Sequence, residues 1–278
     1  MNTQTIPHAH VPAPSSRLET SRQPGHWLLA SLGKRVLRPG GLELTRRLID
    51  RLRPVPTDDV VEFAPGLGVT ARMTISKGPR SYIGIERDQA VAVHLQETMG
   101  SREVRFISAS AESTKLDSQS ASLVYGEAML SMQTPEQKGR IVAEAFRVLK
   151  PGGRYGIHEL SLLPADIGTS ARQEIEREMS MNIHVGVRPA TLAEWRDLLG
   201  QAGFRIEWES LAPMRLLEPG RLIRDEGPAG VLKIAFNLLR RPAARRRVLS
   251  MRRIFHKYAA NLGAVAFVCT KPDPAEKR

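Results

Sequence analysis

The stretch that most constrains this 278-residue chain is Val60-Val61-Glu62-Phe63-Ala64-Pro65-Gly66-Leu67-Gly68-Val69-Thr70. Two β-branched residues lead in, as in a strand covered on both faces. Pro65 and the two glycines break that strand. Gly66 and Gly68 open backbone conformations closed to other residues and leave no side chain between main chain and ligand. The helix that follows would turn its unpaired N–H groups and positive dipole end toward the same space.

A second strand, Ser81-Tyr82-Ile83-Gly84-Ile85-Glu86, also ends in an acid. In a βαβ unit a strand-end carboxylate is placed to bind the two hydroxyls of a ribose, so a nucleoside-containing ligand is expected. Gly66-x-Gly68-x-x-Ala71 fits the dinucleotide fingerprint, which keeps NAD in consideration.

Further along, the pattern alternates regularly. A helix over about 89–99 carries Val91, Val93 and Leu95, and Val104–Ser108 is a third strand. Ala121–Glu127 is a fourth, followed by a helix over about 134–149 with Thr134 and Pro135 in N-cap and N1 positions. Lys150-Pro151-Gly152-Gly153 ends that helix before a fifth strand, 154–160. Thr191-x-x-Glu194 is a capping box. Residues 204–209 alternate as a strand, and 263–270 form the last one.

From Val60 to about Thr270 the chain resembles a class I S-adenosylmethionine-dependent methyltransferase of the small-molecule, ubiquinone/menaquinone type. The resemblance rests on Glu62 to Gly68 (with Ala64 where the family has its first glycine), on Glu86, and on the helix–Lys-Pro-Gly-Gly–strand mark. It implies an α/β, Rossmann-like doubly wound sheet of seven strands, mixed, with helices on both faces and a helical insertion before the last strand. It implies S-adenosylmethionine as cofactor, held by Glu62, Phe63, Ala64, Pro65, Gly66, Gly68, Glu86 and Arg87. Adenine contacts fall to Ser110, Ala111 and Glu112; an Asp is usual where Ser110 stands, so the N–H of Ala111 or Glu112 should carry more of the recognition. Gly126, Glu127 and Ala128 would lie against the methionine part. Arg38, in the basic Gly-rich loop 33–41, would pair with the cofactor carboxylate or simply sit in water. Ala64 should cost little if its backbone stays in an ordinary region.

The resemblance also divides the chain: a disordered Pro/Ser/Thr/His-rich arm over 1–24, then the methyltransferase domain, 25–278. Within it, 25–56 are cap helices, 162–189 cover the acceptor, and 213–258 are a basic helical insertion. Net charge is +12, and twelve Lys/Arg against three acids in 213–258 account for most of it. That segment reads as a lid with a solvated basic face, as a contact with an anionic membrane surface, or as a partner site. Scarce aromatics and the lack of a nucleic-acid-binding module argue against RNA or DNA.

A sulfonium methyl is already activated, so a base is needed only where the acceptor must lose a proton. His184 and His158 are candidates, with Glu127 and Glu159 as alternatives; a lone histidine is more often structural or exposed. No metal-ligand spacing is visible. The single cysteine, Cys269, excludes an intrachain disulfide. No run is long and apolar enough for a membrane span, and no secretory signal is visible. The expectation is a cytoplasmic enzyme, with peripheral membrane association as one reading of the insertion, transferring methyl to a small hydrophobic acceptor at O or C. A non-catalytic nucleoside-binding regulator and an NAD-dependent oxidoreductase are the alternatives.

Overall fold

A computed structural model describes residues 23–273. The expected arm over 1–24 therefore falls almost wholly outside the described residues. Five parallel strands form the central sheet: β1 (Asp59–Phe63), β2 (Ser81–Glu86), β3 (Val104–Ser108), β4 (Ala121–Glu127) and β5 (Leu149–Leu162). A two-residue strand, β6 (Ala190–Thr191), pairs beside the end of β5. The last strands, β7 (Arg205–Pro213) and β8 (Leu262–Thr270), complete the order β3-β2-β1-β4-β5-β8-β7, with β8 antiparallel to both its neighbours. The seven expected strands thus make the main path, and β6 is an eighth that the sequence pattern is too short to reveal. The order reverses between β1 and β4, which opens a crevice at the C-terminal strand ends.

Helices α1 (Gly25–Ser31), α2 (Gly41–Leu52), α3 (Val69–Ile75), α4 (Gln89–Met99), α5 (Pro135–Val148), α6 (Thr169–Ile183), α7 (Leu192–Gln201), α8 (Pro219–Arg240) and α9 (Pro242–Lys257) complete the chain. Asp88 caps α4 by accepting from the N–H groups of Ala90 and Val91. Reciprocal capping boxes start α5 (Thr134 with Gln137) and α7 (Thr191 with Glu194). One apolar layer joins α2, α3 and α4 to one face of the sheet, through Leu44, Leu48, Ala71, Val91 and Leu95. A second puts α5 and α7 on the other face, through Ile141, Val142, Ala145 and Trp195. A third cluster lies beyond the strand ends and joins α1, α6 and α9: Leu28, Leu29, Ile175, Met179, Met251 and Phe255.

Two boundaries differ from the sequence pattern. The Lys-Pro-Gly-Gly turn is absorbed into β5, because Leu149 pairs with Ala121 and a register shift then takes up the extra residues. Gly152, at φ 72°, makes the bulge possible and donates its N–H to the Lys271 carbonyl. In the insertion, where the sequence pattern has Pro228 opening an apolar helix, the helix begins at Pro219, and a non-helical Gly227 (φ 72°, ψ 169°) kinks it just before Pro228. Asp225 and Glu226, ahead of the kink, accept from the backbone N–H groups of Leu42, Arg35 and Val36 and so tie the helix to the first turn of α2 and the loop before it.

Candidate active site

A cavity of about 550 Å3 occupies the crevice at the C-terminal strand ends. Its polar half is made of backbone turns. Ala64, Pro65, Gly66 and Leu67 after β1, Glu86, Arg87 and Asp88 after β2, Ala109 to Glu112 after β3, and Glu127 and Ala128 after β4 all line it. A Cβ built on Gly66 would meet only the Ala64 carbonyl, at 3.8 Å, so this glycine leaves the cavity side open. Glu86 is buried and accepts from Asp88 N–H (3.1 Å) and Gly66 N–H (3.3 Å); burial raises its carboxyl pKa and these donors oppose the rise.

Four of the expected cofactor-side residues lie elsewhere. Strand alternation turns Val61 and Phe63 into one core layer and Val60 and Glu62 toward the other. Phe63 is therefore a core side chain. Glu62 points into the sheet, where Tyr82 and Tyr125 donate to it, and burial pushes its pKa up to about 7. Gly68 caps α3 at φ 69°; a Cβ there would strike Met99 and Leu95 under α4. Gly126 packs against Phe63 within the sheet. Ala64 also departs from expectation: its φ is 55°, in the left-handed region, so the missing glycine is not neutral.

In the loop after β3, Ser110 Oγ accepts from the Glu112 N–H at 3.2 Å, while the Glu112 carboxylate is engaged by Arg140 and Gln137. Of the two N–H groups expected to serve as adenine donors, that of Glu112 is already used inside the turn.

Glu127 is the electrostatic centre. It accepts from Arg38 Nη1, Thr45 Oγ1 and Thr70 Oγ1, and faces His158 Nδ1 at 2.8 Å. Burial would raise its pKa; the charge of Arg38 and the contact with His158 outweigh burial and hold it down to about 2. It is a fixed anion and too weak a base to take a substrate proton. Arg38 itself lines the cavity, and its Nε and Nη2 are buried without a partner among the described residues.

None of the expected bases faces the cavity with a lone pair to offer. His158 is fully buried, with Nε2 on the Pro39 carbonyl and Nδ1 on Glu127. Both ring nitrogens are therefore already engaged inside the protein. Glu159 lines the cavity but accepts from Met129, Leu130 and Ser131 N–H and from Ser131 Oγ, which pins the 3-10 turn Leu130–Met132 after β4. His184 is the exposed left-handed C-cap of α6 (φ 58°) and lies outside the cavity, although its neighbours Ile183 and Val185 line it.

The other half of the cavity is apolar and comes from distant segments: Trp27 and Leu29 of α1, Leu37, Met179 and Ile183 of α6, Val185 and Val187, Met214 and Leu216 after β7, and Met251 and Phe255 of α9. With Met129 and Met132 after β4, five of the chain's nine methionines line this cavity. Apart from the two methionines after β4, these residues come from the segments read in the sequence as cap helices, acceptor cover and basic insertion, but sequence reasoning singled out none of them for this wall; the concentration of methionine after β4 was the available signal. Sequence reasoning also missed His26, the one histidine among the described residues that lines the cavity. Burial holds its pKa down at about 4, so the ring is neutral near pH 7.

With this geometry in view, a methyltransferase-domain family model matches residues 60–153, which spans β1 through the Lys-Pro-Gly-Gly turn. An uncharacterised protein of Haemophilus influenzae is 35% identical over 221 residues, covering 78% of this chain and 86% of the relative. The chain carries a methyltransferase domain on the fold of the class I S-adenosylmethionine-dependent methyltransferases. This methyltransferase uses S-adenosylmethionine as its cofactor. Its fold is shared with a Haemonchus contortus phosphoethanolamine N-methyltransferase solved with phosphomonomethylethanolamine and S-adenosylhomocysteine (TM-score 0.68, 16% identity, 95% of this chain and 61% of that one). It is shared too with the [4+2]-cyclase SpnF (0.64, 20%, 88% and 92%). A geranyl diphosphate methyltransferase solved with GPP and sinefungin is a third example (0.59, 15%, 83% and 77%). Among the described residues no group of three or more His, Cys, Asp or Glu could hold a metal, and no helix is long and apolar enough to cross a membrane.

Proposed function

We propose that this methyltransferase transfers the methyl group of S-adenosylmethionine to a small lipophilic acceptor held in the methionine-lined half of the cavity. The division of that single cavity into a polar backbone half and an apolar side-chain half carries the reading. When bound, S-adenosylmethionine supplies a methyl group already activated by the sulfonium charge. Glu86 accepts from the ribose hydroxyls. The unpartnered Nε and Nη2 of Arg38 suit the cofactor's carboxylate, with Glu127 fixing the guanidinium from the opposite side. Pro65, Gly66 and Ala128 shape the space beside the methionine chain, and the Ala111 N–H serves the adenine. The apolar wall excludes water and aligns the acceptor for in-line attack.

For an acceptor with a hydroxyl group, His26 is the side chain we favour to hold and orient that hydroxyl by accepting its hydrogen bond. It is neutral, lines the cavity, and stands beside Trp27 with ring centroids 5.3 Å apart. A carbon acceptor would need no such group. The partner we propose for the basic segment 213–258 is an anionic membrane surface, where a lipophilic acceptor would be met.

Calorimetric titration with S-adenosylmethionine, S-adenosylhomocysteine and NADH tests the cofactor half. Binding of the two adenosyl compounds alone is expected, and binding of NADH alone would overturn the assignment. Turnover is then screened with lipophilic phenols, quinones and fatty acids. His26→Gln is expected to slow hydroxyl acceptors with cofactor affinity unchanged.

A further inference from the structure

The helical hairpin α8–α9 has two faces, and only the inner one is explained by the cavity. On α9, Met251 and Phe255 line the cavity. On α8 beyond the Gly227 kink, Ile234 is buried and Asn237 Nδ2 donates to the Leu32 carbonyl at 2.9 Å. The opposite face of α8 carries Leu232, Phe236 and Leu239, which are 71%, 56% and 69% exposed. Their i, i+4, i+7 spacing aligns them in one stripe. Lys233 is the sole charge between Pro228 and Leu239. A helix facing only water would place polar residues on that stripe.

The surroundings of the stripe say what covers it. From Gly227 to Tyr258 the chain has no Asp or Glu. Arg240 stacks over the Phe236 ring at 5.2 Å and so brings a cation to the edge of the stripe. On α9, Arg245, Arg246 and Arg253 are exposed at helical spacing around Leu249, itself exposed, and none has an acidic partner among the described residues. Large apolar side chains rimmed by unpaired arginines match the boundary between anionic headgroups and acyl chains. Nucleic acid would satisfy the arginines and leave Leu232 and Leu239 in water.

We propose that the outward face of the α8–α9 hairpin docks on an anionic lipid surface, with Leu232, Phe236 and Leu239 entering the headgroup boundary and the arginines meeting lipid phosphates. This rests on the lipophilic-acceptor reading and extends it. Because Met251 and Phe255 form the inner side of α9, a single helix separates the docking face from the acceptor half of the cavity. An acceptor dissolved in the bilayer would then reach the cavity at the membrane surface.

The test is co-sedimentation of the full chain with vesicles of phosphatidylcholine alone and of phosphatidylcholine with phosphatidylglycerol, alongside calorimetry with S-adenosylmethionine. The expected result is binding to the anionic vesicles at least about tenfold stronger than to the neutral ones, weakened by salt. The triple variant Leu232→Ser/Phe236→Ser/Leu239→Ser and, separately, Arg245→Gln/Arg246→Gln/Arg253→Gln should each lose about tenfold or more of it. Both should bind S-adenosylmethionine as the parent does. Equal binding to both vesicle types, or to neither, would overturn the proposal. So would a concentration-dependent dimer that the leucine and phenylalanine substitutions abolish, or stronger binding to duplex DNA or RNA than to lipid. Vesicle binding without cofactor binding would sink the methyl-transfer reading and leave the docking face standing.

Discussion

The polar half of the cavity is built from the turns that follow four consecutive parallel strands, whereas the apolar half is built mainly from side chains far apart in the chain, on α1, on α6 and the loop after it, on the segment after β7 and on α9. In the first, position follows from the sheet, since each strand delivers its C-terminal turn to the same edge. In the second, position follows from packing, since the third core cluster must close over the strand ends before any wall exists. One half is held by directed hydrogen bonds and buried charge, the other by apolar contact. The two should therefore fail differently when residues are removed.

Glu127→Ala should do the most damage. It leaves the Arg38 guanidinium and the His158 ring facing each other without the carboxylate that separates them. Breaking a buried ion pair by removing one partner costs about 3–5 kcal/mol. Urea unfolding should show a loss of that size together with weakened S-adenosylmethionine binding. A loss below about 1 kcal/mol would mean that water or a rotated Thr45 or Thr70 takes over the Arg38 guanidinium.

Next comes Glu62, which belongs to neither half of the cavity although it opens the turn motif. Its folded-state pKa is raised to about 7, so between the ordinary carboxylate value and pH 7 the folded chain keeps a proton that the unfolded chain has released. Stability should decline across that window by about 3 kcal/mol and level off above it. Glu127 has the opposite sign: its folded pKa is lowered to about 2, so its contribution is present above the unfolded carboxylate value and is lost as pH falls toward 2. Glu62→Gln should remove the decline, gaining on the parent as pH rises from 5 to 8 while S-adenosylmethionine affinity stays unchanged. An affinity loss in this variant would put Glu62 back in the cofactor site.

Glu86→Ala and Met251→Ala form the sharpest contrast between the two halves. Glu86→Ala should weaken S-adenosylmethionine binding about a hundredfold, through two charge-assisted hydrogen bonds, at little cost in stability. Met251→Ala removes a buried side chain from the wall and should cost about 2 kcal/mol of stability, while cofactor affinity holds within about twofold. Calorimetry and urea unfolding on both variants decide the matter. If Met251→Ala also lost cofactor affinity, the division of the cavity into two independent halves would be wrong.

The polar half was legible in the sequence for the same reason that it is robust. Pro65, Gly66, Glu86, Ser110 and Ala128 occupy turns whose place is set by strand periodicity, and periodicity is local. Within that half, the errors concerned direction. Glu62, Phe63, Gly68 and Gly126 have the right chain position but face the core, because alternation along β1 and β4 and the seat of α3 on α4 decide where they point. His158 and Glu159 were marked by chemistry and turned out to be committed to Pro39, Glu127 and the turn after β4. In the apolar half the sequence marked the covering segments but not the residues, because those residues share no period or motif. Met179, Met214 and Met251 meet only through tertiary packing, and His26 belongs to no motif.

The smallest expected effect lies in the polar half, at the residue where local pattern and backbone geometry disagree. Ala64 lies at φ 55°, a conformation that costs a side-chain-bearing residue about 1–2 kcal/mol. Its N–H still donates to the Ile85 carbonyl at 2.8 Å, and its methyl group packs on the core beneath the cavity. Ala64→Gly would relieve the strain and give up both the methyl contact and some unfolded-state rigidity, for a net gain of about 0.5 kcal/mol. Cofactor affinity should change little, because the Ala64 backbone already lines the cavity in the required conformation. A net loss of stability on urea unfolding would show that the methyl contact outweighs the strain, and that this departure from glycine is itself a stabilising feature of the turn.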